Sequence, residues 1–186
     1  MGKGICMNKL KQMETALAPG GGQQAVDQMD NQTLLLRYKE TGDMELKWAL
    51  VLRYTDLVML DLKEMDEEKH RALTGHGNQN IRNMASYLSD HNTPMWIRHV
   101  LVPGLTDDED GLRHMNEFIG TLRTVERVEV LPYHTLGTFK WKELGIPYPL
   151  EGVRTPTDEE VKRAEELLQV SRYQSRQDGT AGKKRA

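Results

Sequence analysis

From Tyr54 onward, apolar positions fall into alternating short runs and helical stripes. Asp56-Leu57-Val58-Met59-Leu60-Asp61 is a nearly continuous apolar run bounded by acids, the pattern of a strand buried on both faces of a parallel sheet. Asp66-Glu67-Glu68 opens a helical stretch that closes at Gly75. Asn78 or Asn80 is the expected cap of a second helix running through His91, with Ile81, Met84, Ala85 and Leu88 at helical spacing. Pro94 ends it, and Met95 to Val102 reads as the next strand, broken by Pro103-Gly104. Thr106 is the expected N-cap of a helix reaching about Leu122, with Asp107, Asp108 and Glu109 in its first turn, where the helix dipole favours carboxylates. Leu112, Met115, Phe118, Ile119 and Leu122 form its apolar face. Val125 to Leu131 sets Val125, Val128 and Val130 against Glu126, Arg127 and Glu129, and predicts a third strand. After Pro132-Tyr133-His134 comes a loop of about 20 residues rich in Gly, Pro and aromatics. Thr157-Asp158-Glu159-Glu160 resembles a capping box opening a helix on Val161, Ala164, Leu167 and Leu168.

Strand, helix, strand, helix, strand, helix is a βαβ series, and it predicts an α/β fold with parallel strands. In such folds the working residues sit at the C-terminal ends of strands. That rule selects Asp61-Leu62-Lys63, Arg98 and His99, and Tyr133-His134.

The flanks read differently. Residues 1–50 hold PGGGQQ, a run of Gln, Asn and Asp from Gln23 to Gln32, and only weak helical periodicity around Leu34 to Tyr38 and Met44 to Leu50. They are expected to be an irregular segment; Gly20-Gly21-Gly22 has no GK[ST] after it and reads as a linker rather than a phosphate loop. Residues 51–170 are the expected folded domain. Residues 171–186 lack periodicity, end basic, and are expected to be a disordered tail.

A net charge of −3 calls for neither nucleic acid nor an anionic membrane as partner, and no apolar run approaches the roughly 18 residues of a membrane span. With no leader-like N-terminus, a cytoplasmic location is expected. The single cysteine, Cys6, excludes an intramolecular disulfide and a self-contained thiolate cluster.

Each candidate has a plain alternative. Asp61 and Lys63, two apart at a strand end, point to one side and suit a cation or hydroxyl and a carboxylate or phosphate, but an ordinary ion pair satisfies the same pattern. Arg98 interrupts an apolar strand; burying a guanidinium is costly without a partner, so it faces a site or lies on an exposed edge. His134 is a loop histidine raised above the ordinary by its place at a strand end. His70, His76, His91, His99 and His114 show no metal spacing and read as surface or packing residues. Asp107 to Asp110 is a solvated helix start without the alternating ligands of a calcium loop.

DLVMLDLKEMDEEKHRALTG, WIRHVLVPGLTDDED and VEVLPYHTLGTFKWKELGIPY, in this order from about Tyr54 to about Leu168, resemble the C-terminal half of the pyruvate formate-lyase activating enzymes, a radical S-adenosylmethionine family. The resemblance implies an incomplete parallel (β/α) partial barrel of the TIM-like kind. It implies an oxidoreductase of anaerobic glucose metabolism that uses S-adenosylmethionine and a [4Fe–4S] cluster, fed by a donor such as flavodoxin, to plant a glycyl radical on pyruvate formate-lyase. By the same resemblance Leu62, Lys63, Glu64 and His134 would contact S-adenosylmethionine. Arg98 would bind the glycyl-radical loop of the partner, and Met59 and Asp61 would contribute to a monovalent-cation site.

The family's CxxxCxxC cluster motif, its GGE motif and its DTNG strand end are not in this sequence: Cys6 is followed by Leu10 and Met13 at the cluster spacing, and Gly20-Gly21-Gly22 by Gln23. No [4Fe–4S] ligand set is therefore expected in this chain, nor a radical from this chain alone, because the redox chemistry belongs to the cofactor. Loss of resemblance at both ends suggests a truncated, rearranged or frameshifted reading frame. Two other roles fit: a fragment that docks the glycyl-radical loop or complements a cluster-bearing chain, and a vestigial product. An open partial sheet is expected to expose an edge and an apolar face, with marginal stability or dependence on a partner.

Overall fold

The computed structural model describes residues 26–174, which divide into two compact units meeting at Thr55 and Asp56.

Residues 1–25 of the expected irregular segment lie outside the described residues; after them the first unit forms two capped helices, α1 (Asn31–Thr41) and α2 (Met44–Leu52). Asp30 caps α1 by accepting from the Thr33 amide at 2.7 Å, and Gly42, at φ +70°, ends it in the left-handed conformation that glycine adopts without strain. Asp43 caps α2 through the Glu45 amide at 2.9 Å. Leu34, Leu46 and Ala49 form the small core, with Val26, Met29, Tyr38 and Leu50 packed on it. Arg53 ties the unit together through the Asn31 side chain and the carbonyls of Val26, Asp27 and Met29. Local caps and a few buried apolar residues make helices where periodicity alone was weak.

The second unit is α/β. Three strands, β1 (Val58–Asp61), β2 (Met95–Leu101) and β3 (Val125–Pro132), form a parallel sheet in the order β1-β2-β3, which does not close. Helices α3 (Glu67–Thr74) and α4 (Gln79–Asp90) connect β1 to β2, and α5 (Glu109–Thr121) connects β2 to β3. Beyond β3 lie α6 (Thr138–Glu143), inside the expected loop, and α7 (Asp158–Leu167), which packs on α5 and β3.

One sheet face carries the core. Leu60, Met95, Ile97, His99, Leu101, Val125, Val128 and Val130 are buried there, together with Leu88, Leu112, Met115 and Ile119 from the helices. The other face is half-exposed, as the strict buried–intermediate alternation of β2 records. β1 is thus not buried on both faces: Met59 is 55% exposed. The open face is mixed: Met59, Trp96, Val100 and Leu131 lie on it beside the charged Asp61, Arg98, Glu129 and Arg127, and such charges blunt the tendency of an open sheet to aggregate.

Several local expectations shift. Asp66 caps α3 and Gly75 ends it, as read, and Thr157 and Glu160 form the capping box of α7. Asp108, not Thr106, caps α5, accepting from the Gly111 amide at 3.0 Å. Thr106 turns inward instead: its hydroxyl accepts from the Val102 amide at 2.8 Å and donates to the Val100 carbonyl at 2.7 Å. Asn78 occupies the cap position of α4 but spends its side-chain amide on the Glu64 and Met65 carbonyls. Residues 171–174, expected in the tail, are helical, with Tyr173 buried at 3% exposure.

Candidate functional site

The C-terminal ends of β1 and β2 bring together three of the selected residues. Asp61 and Arg98 are register partners on adjacent strands. Asp61 Oδ1 accepts from Arg98 Nε at 2.9 Å and lies 2.8 Å from Nη2 in the same ion pair, while Oδ2 accepts from Lys63 Nζ at 3.2 Å. Burial pushes the Asp61 carboxyl up, but the hydrogen bonds from Lys63 and Arg98 outweigh it and hold the group below its ordinary value. One carboxylate thus orients two cations on a half-exposed face.

The row continues across the sheet with residues that strand-end reasoning passed over. Arg98 faces Glu129 in register; Glu129 Oε1 forms an ion pair with Arg127 Nη2 at 2.7 Å, and the Arg127 guanidinium lies 4.9 Å from the centre of the Trp96 ring. The buried Trp96 indole N–H has no hydrogen-bond partner among the described residues. Arg127 and Glu129 were visible as polar strand positions. That they share the face of Arg98 depends on the register shift at Met95/Trp96, which no local pattern reports.

Met59 shares the face of Asp61, two residues back along β1. Leu62 and Glu64 lie elsewhere. The Leu62 side chain is in the core at 1% exposure, its N–H donating to the Arg98 carbonyl at 2.9 Å. Buried Glu64 folds back to accept from the Met65 and Asp66 amides at 2.7 and 3.0 Å. His134 is exposed just past β3, beyond Tyr133, whose amide donates to the Leu101 carbonyl. Two cavities of about 750 and 760 Å³ are lined by neither Asp61, Lys63 nor Arg98. The first sits under the loop that follows His134, where Tyr133 and Tyr148 hydroxyls meet at 2.8 Å.

No group of three or more His, Cys, Asp or Glu side chains poised for a metal exists among the described residues, and Cys6 lies outside them. The thiolate set of an iron–sulfur cluster is not in this sequence. A group carrying a carboxylate, by contrast, fits the Lys63 and Arg98 cations. Among the described residues no helix is long and apolar enough to cross a membrane.

No protein-family model matches the chain. It is 49% identical over 142 residues to the pyruvate formate-lyase-activating enzyme of Streptococcus mutans, covering 76% of this chain and 54% of that protein. It is 50% identical over 123 residues to that of Listeria monocytogenes, covering 66% and 50%. It is 55% identical over 112 residues to that of Staphylococcus aureus, covering 60% and 45%. A match of 142 residues in a chain of 186 begins no later than residue 45, so the similarity reaches upstream of Tyr54 into α2. The crystal structure of a domain of pyruvate-formate lyase-activating enzyme from Bacteroides vulgatus superposes with a TM-score of 0.56 at 25% identity, covering 71% of each chain. Over its C-terminal part this chain is about 50% identical to pyruvate formate-lyase-activating enzymes, and it spans about half the length of the curated relatives it matches.

Proposed function

We propose that this chain carries the cofactor- and substrate-gripping half of a glycyl-radical activating site. The observation that carries the reading is the Asp61 carboxylate shared by Lys63 and Arg98 at the C-terminal edge of a parallel sheet, where α/β folds bind their ligands. Lys63 holds the carboxylate of S-adenosylmethionine as a point charge, with Leu62 and Glu64 shaping the strand-end segment around it and His134 approaching from the loop after β3. Arg98 is held by Asp61 along one edge of its guanidinium, and its Nη1 donors serve the carbonyls of the partner's glycyl-radical loop. A monovalent cation held by Met59 and Asp61 would compete with Lys63 for Oδ2. S-adenosylmethionine supplies the radical precursor in this family; the cluster that would reduce it finds no donor set here. We infer that the chain makes no radical by itself.

Equilibrium dialysis of the full chain against S-adenosylmethionine tests the first part. Lys63→Ala is expected to weaken binding roughly tenfold or more, the scale of one charge-assisted hydrogen bond. Binding indifferent to Lys63 would remove the basis for the assignment. Capture of pyruvate formate-lyase, lost with Arg98→Ala, tests the second part. Brown cluster absorbance after anaerobic iron–sulfide reconstitution would contradict the third.

A second reading, in which the chain complements another that bears the cluster, rests on the Lys63 and Arg98 cations standing in a sequence without a thiolate set. Mixing the two and looking for a glycyl radical distinguishes complementation from a vestigial product, which would fold poorly and bind nothing.

A further inference from the structure

His99 is a buried imidazole that the site described above does not use. It lies on the core face of β2, at 1% exposure, among Ile97, Leu101 and the side chain of Leu62. Its two ring nitrogens face two backbone carbonyls from separate segments: Nδ1 meets the Leu62 carbonyl at 2.9 Å, and Nε2 meets the Thr106 carbonyl at 2.9 Å. Leu62 ends the extended ladder of β1, immediately before Lys63. Its N–H is already held by the Arg98 carbonyl at 2.9 Å, so both backbone polar groups of Leu62, one in each of its flanking peptides, are tied to β2. Thr106 closes the turn after β2, with its amide on the Val102 carbonyl at 3.0 Å and its hydroxyl on Val100 and Val102.

We propose that His99 is a positioning residue for the candidate site, holding the Leu62 carbonyl so that Lys63 leaves the strand end on the Asp61 side. The reasoning is directional. Side chains alternate along an extended segment, so Leu62 points into the core and Lys63 toward Asp61 only while the peptide between them keeps its orientation. A carbonyl buried without a donor would favour rotation of that peptide, because an unmade hydrogen bond in a dry core costs more than the bond contributes when made. His99 supplies that donor. Both of its partners are acceptors, and a neutral ring has one N–H. The proposal places that proton on Nδ1, facing the Leu62 carbonyl at 2.9 Å. Burial pushes the His99 ring toward its neutral form, against the Leu62 and Thr106 carbonyls and the Glu64 carboxylate, with Lys63 adding to the downward push.

The inference rests on Lys63 being a ligand-binding group, but its test needs no ligand. In the full chain, the ring nitrogens of His99 are read by long-range proton–nitrogen correlation spectra. A protonated Nδ1 is expected, whether or not Nε2 also carries a proton; an unprotonated Nδ1 overturns the proposal. The acylation rate of Lys63, read by mass spectrometry, then separates positioning from general stability. His99→Asn keeps a donor at the δ position and is expected to leave the rate near that of the parent. His99→Gln moves the donor outward and is expected to raise it about fivefold, the factor for losing one ordinary hydrogen bond. Ile119→Ala, a buried change on α5, serves as the control: it lowers the melting temperature and is expected to leave Lys63 labelling unchanged. Equal labelling in the Asn and Gln variants, or a rise of the same size in the Ile119 control, overturns the proposal.

Discussion

Asp61 on β1 and Arg98 on β2, 37 residues apart in sequence, are lateral register partners, one carboxylate oxygen accepting from Nε and lying in ion-pair contact with Nη2 of the same guanidinium. The second oxygen of Asp61 takes Lys63. The strand end is therefore a prearranged pair of cations around one anion.

That pair makes stability depend on acid. The folded Asp61 carboxyl is held below its ordinary value, so its contribution is fully present above the unfolded carboxyl range and is lost as pH falls through the lower, folded value. Asp61→Asn is expected to flatten the acid limb of the urea midpoint measured between about pH 6 and pH 2. An acid limb identical to the parent's would mean that the pair contributes nothing. Because Asp61, Lys63 and Arg98 are each about a third exposed, water screening keeps the effect modest.

The capping box of α7 offers a local test. The Thr157 hydroxyl accepts from the Glu160 amide at 3.2 Å, and Glu160 returns to the Thr157 amide at 2.8 Å while binding Arg154. Thr157→Ala is expected to cost about 1 kcal/mol in a denaturant titration, because the helix loses a cap while its buried face of Ala164, Leu167 and Leu168 is untouched. The Arg154 hydrogen bond, with help from Thr157, lowers the Glu160 carboxyl to about 2. The contribution of Glu160 is thus fully present above its ordinary value of 4.5 and is lost as pH falls from there through about 2.

In the core, Ile97 sits at the centre of the middle strand with no exposed surface. Ile97→Ala is expected to destabilise the second unit by about 3 kcal/mol, the usual loss of transfer energy plus a cavity. A cost under about 1 kcal/mol would show that the sheet collapses around the gap rather than keeping its packing.

The loop after β3 can be followed through its tyrosines. The hydrogen bond between the two hydroxyls, which favours the protonated phenol, raises Tyr148 to about 12. Tyr133→Phe is expected to return the Tyr148 titration toward its ordinary value, read as phenolate absorbance against pH. No shift would mean that the two hydroxyls do not meet in solution.

Local chemistry was sufficient for the three strands and for α3, α4, α5 and α7. β1 and β2 were legible as short, mostly apolar runs between punctuating residues, β3 as valines set against charged residues, and the ends of α3 and α7 because Asp66, Gly75, Thr157 and Glu160 act locally. The same locality explains the misses. Thr106 has the chemistry of a cap, but its hydroxyl found two backbone partners in the preceding turn, and Asp108 capped α5 instead. The helices at residues 31–52 lacked strong periodicity because a two-helix core needs only Leu34, Leu46 and Ala49. Tyr173 looked like tail because nothing nearby in sequence records its burial.

By itself the sequence determined the α/β order, the strand ends and the placing of Asp61 beside Lys63, since those follow from periods of two and 3.6 and from caps. It also limited the chain to one thiol. Only tertiary structure decided that Arg98 meets Asp61, that Trp96, Arg127 and Glu129 extend the same charged face, and that His99 spans two carbonyls. Those contacts depend on lateral strand register, and register is settled by the whole sheet and the helices packed on it, not by any window of neighbouring residues.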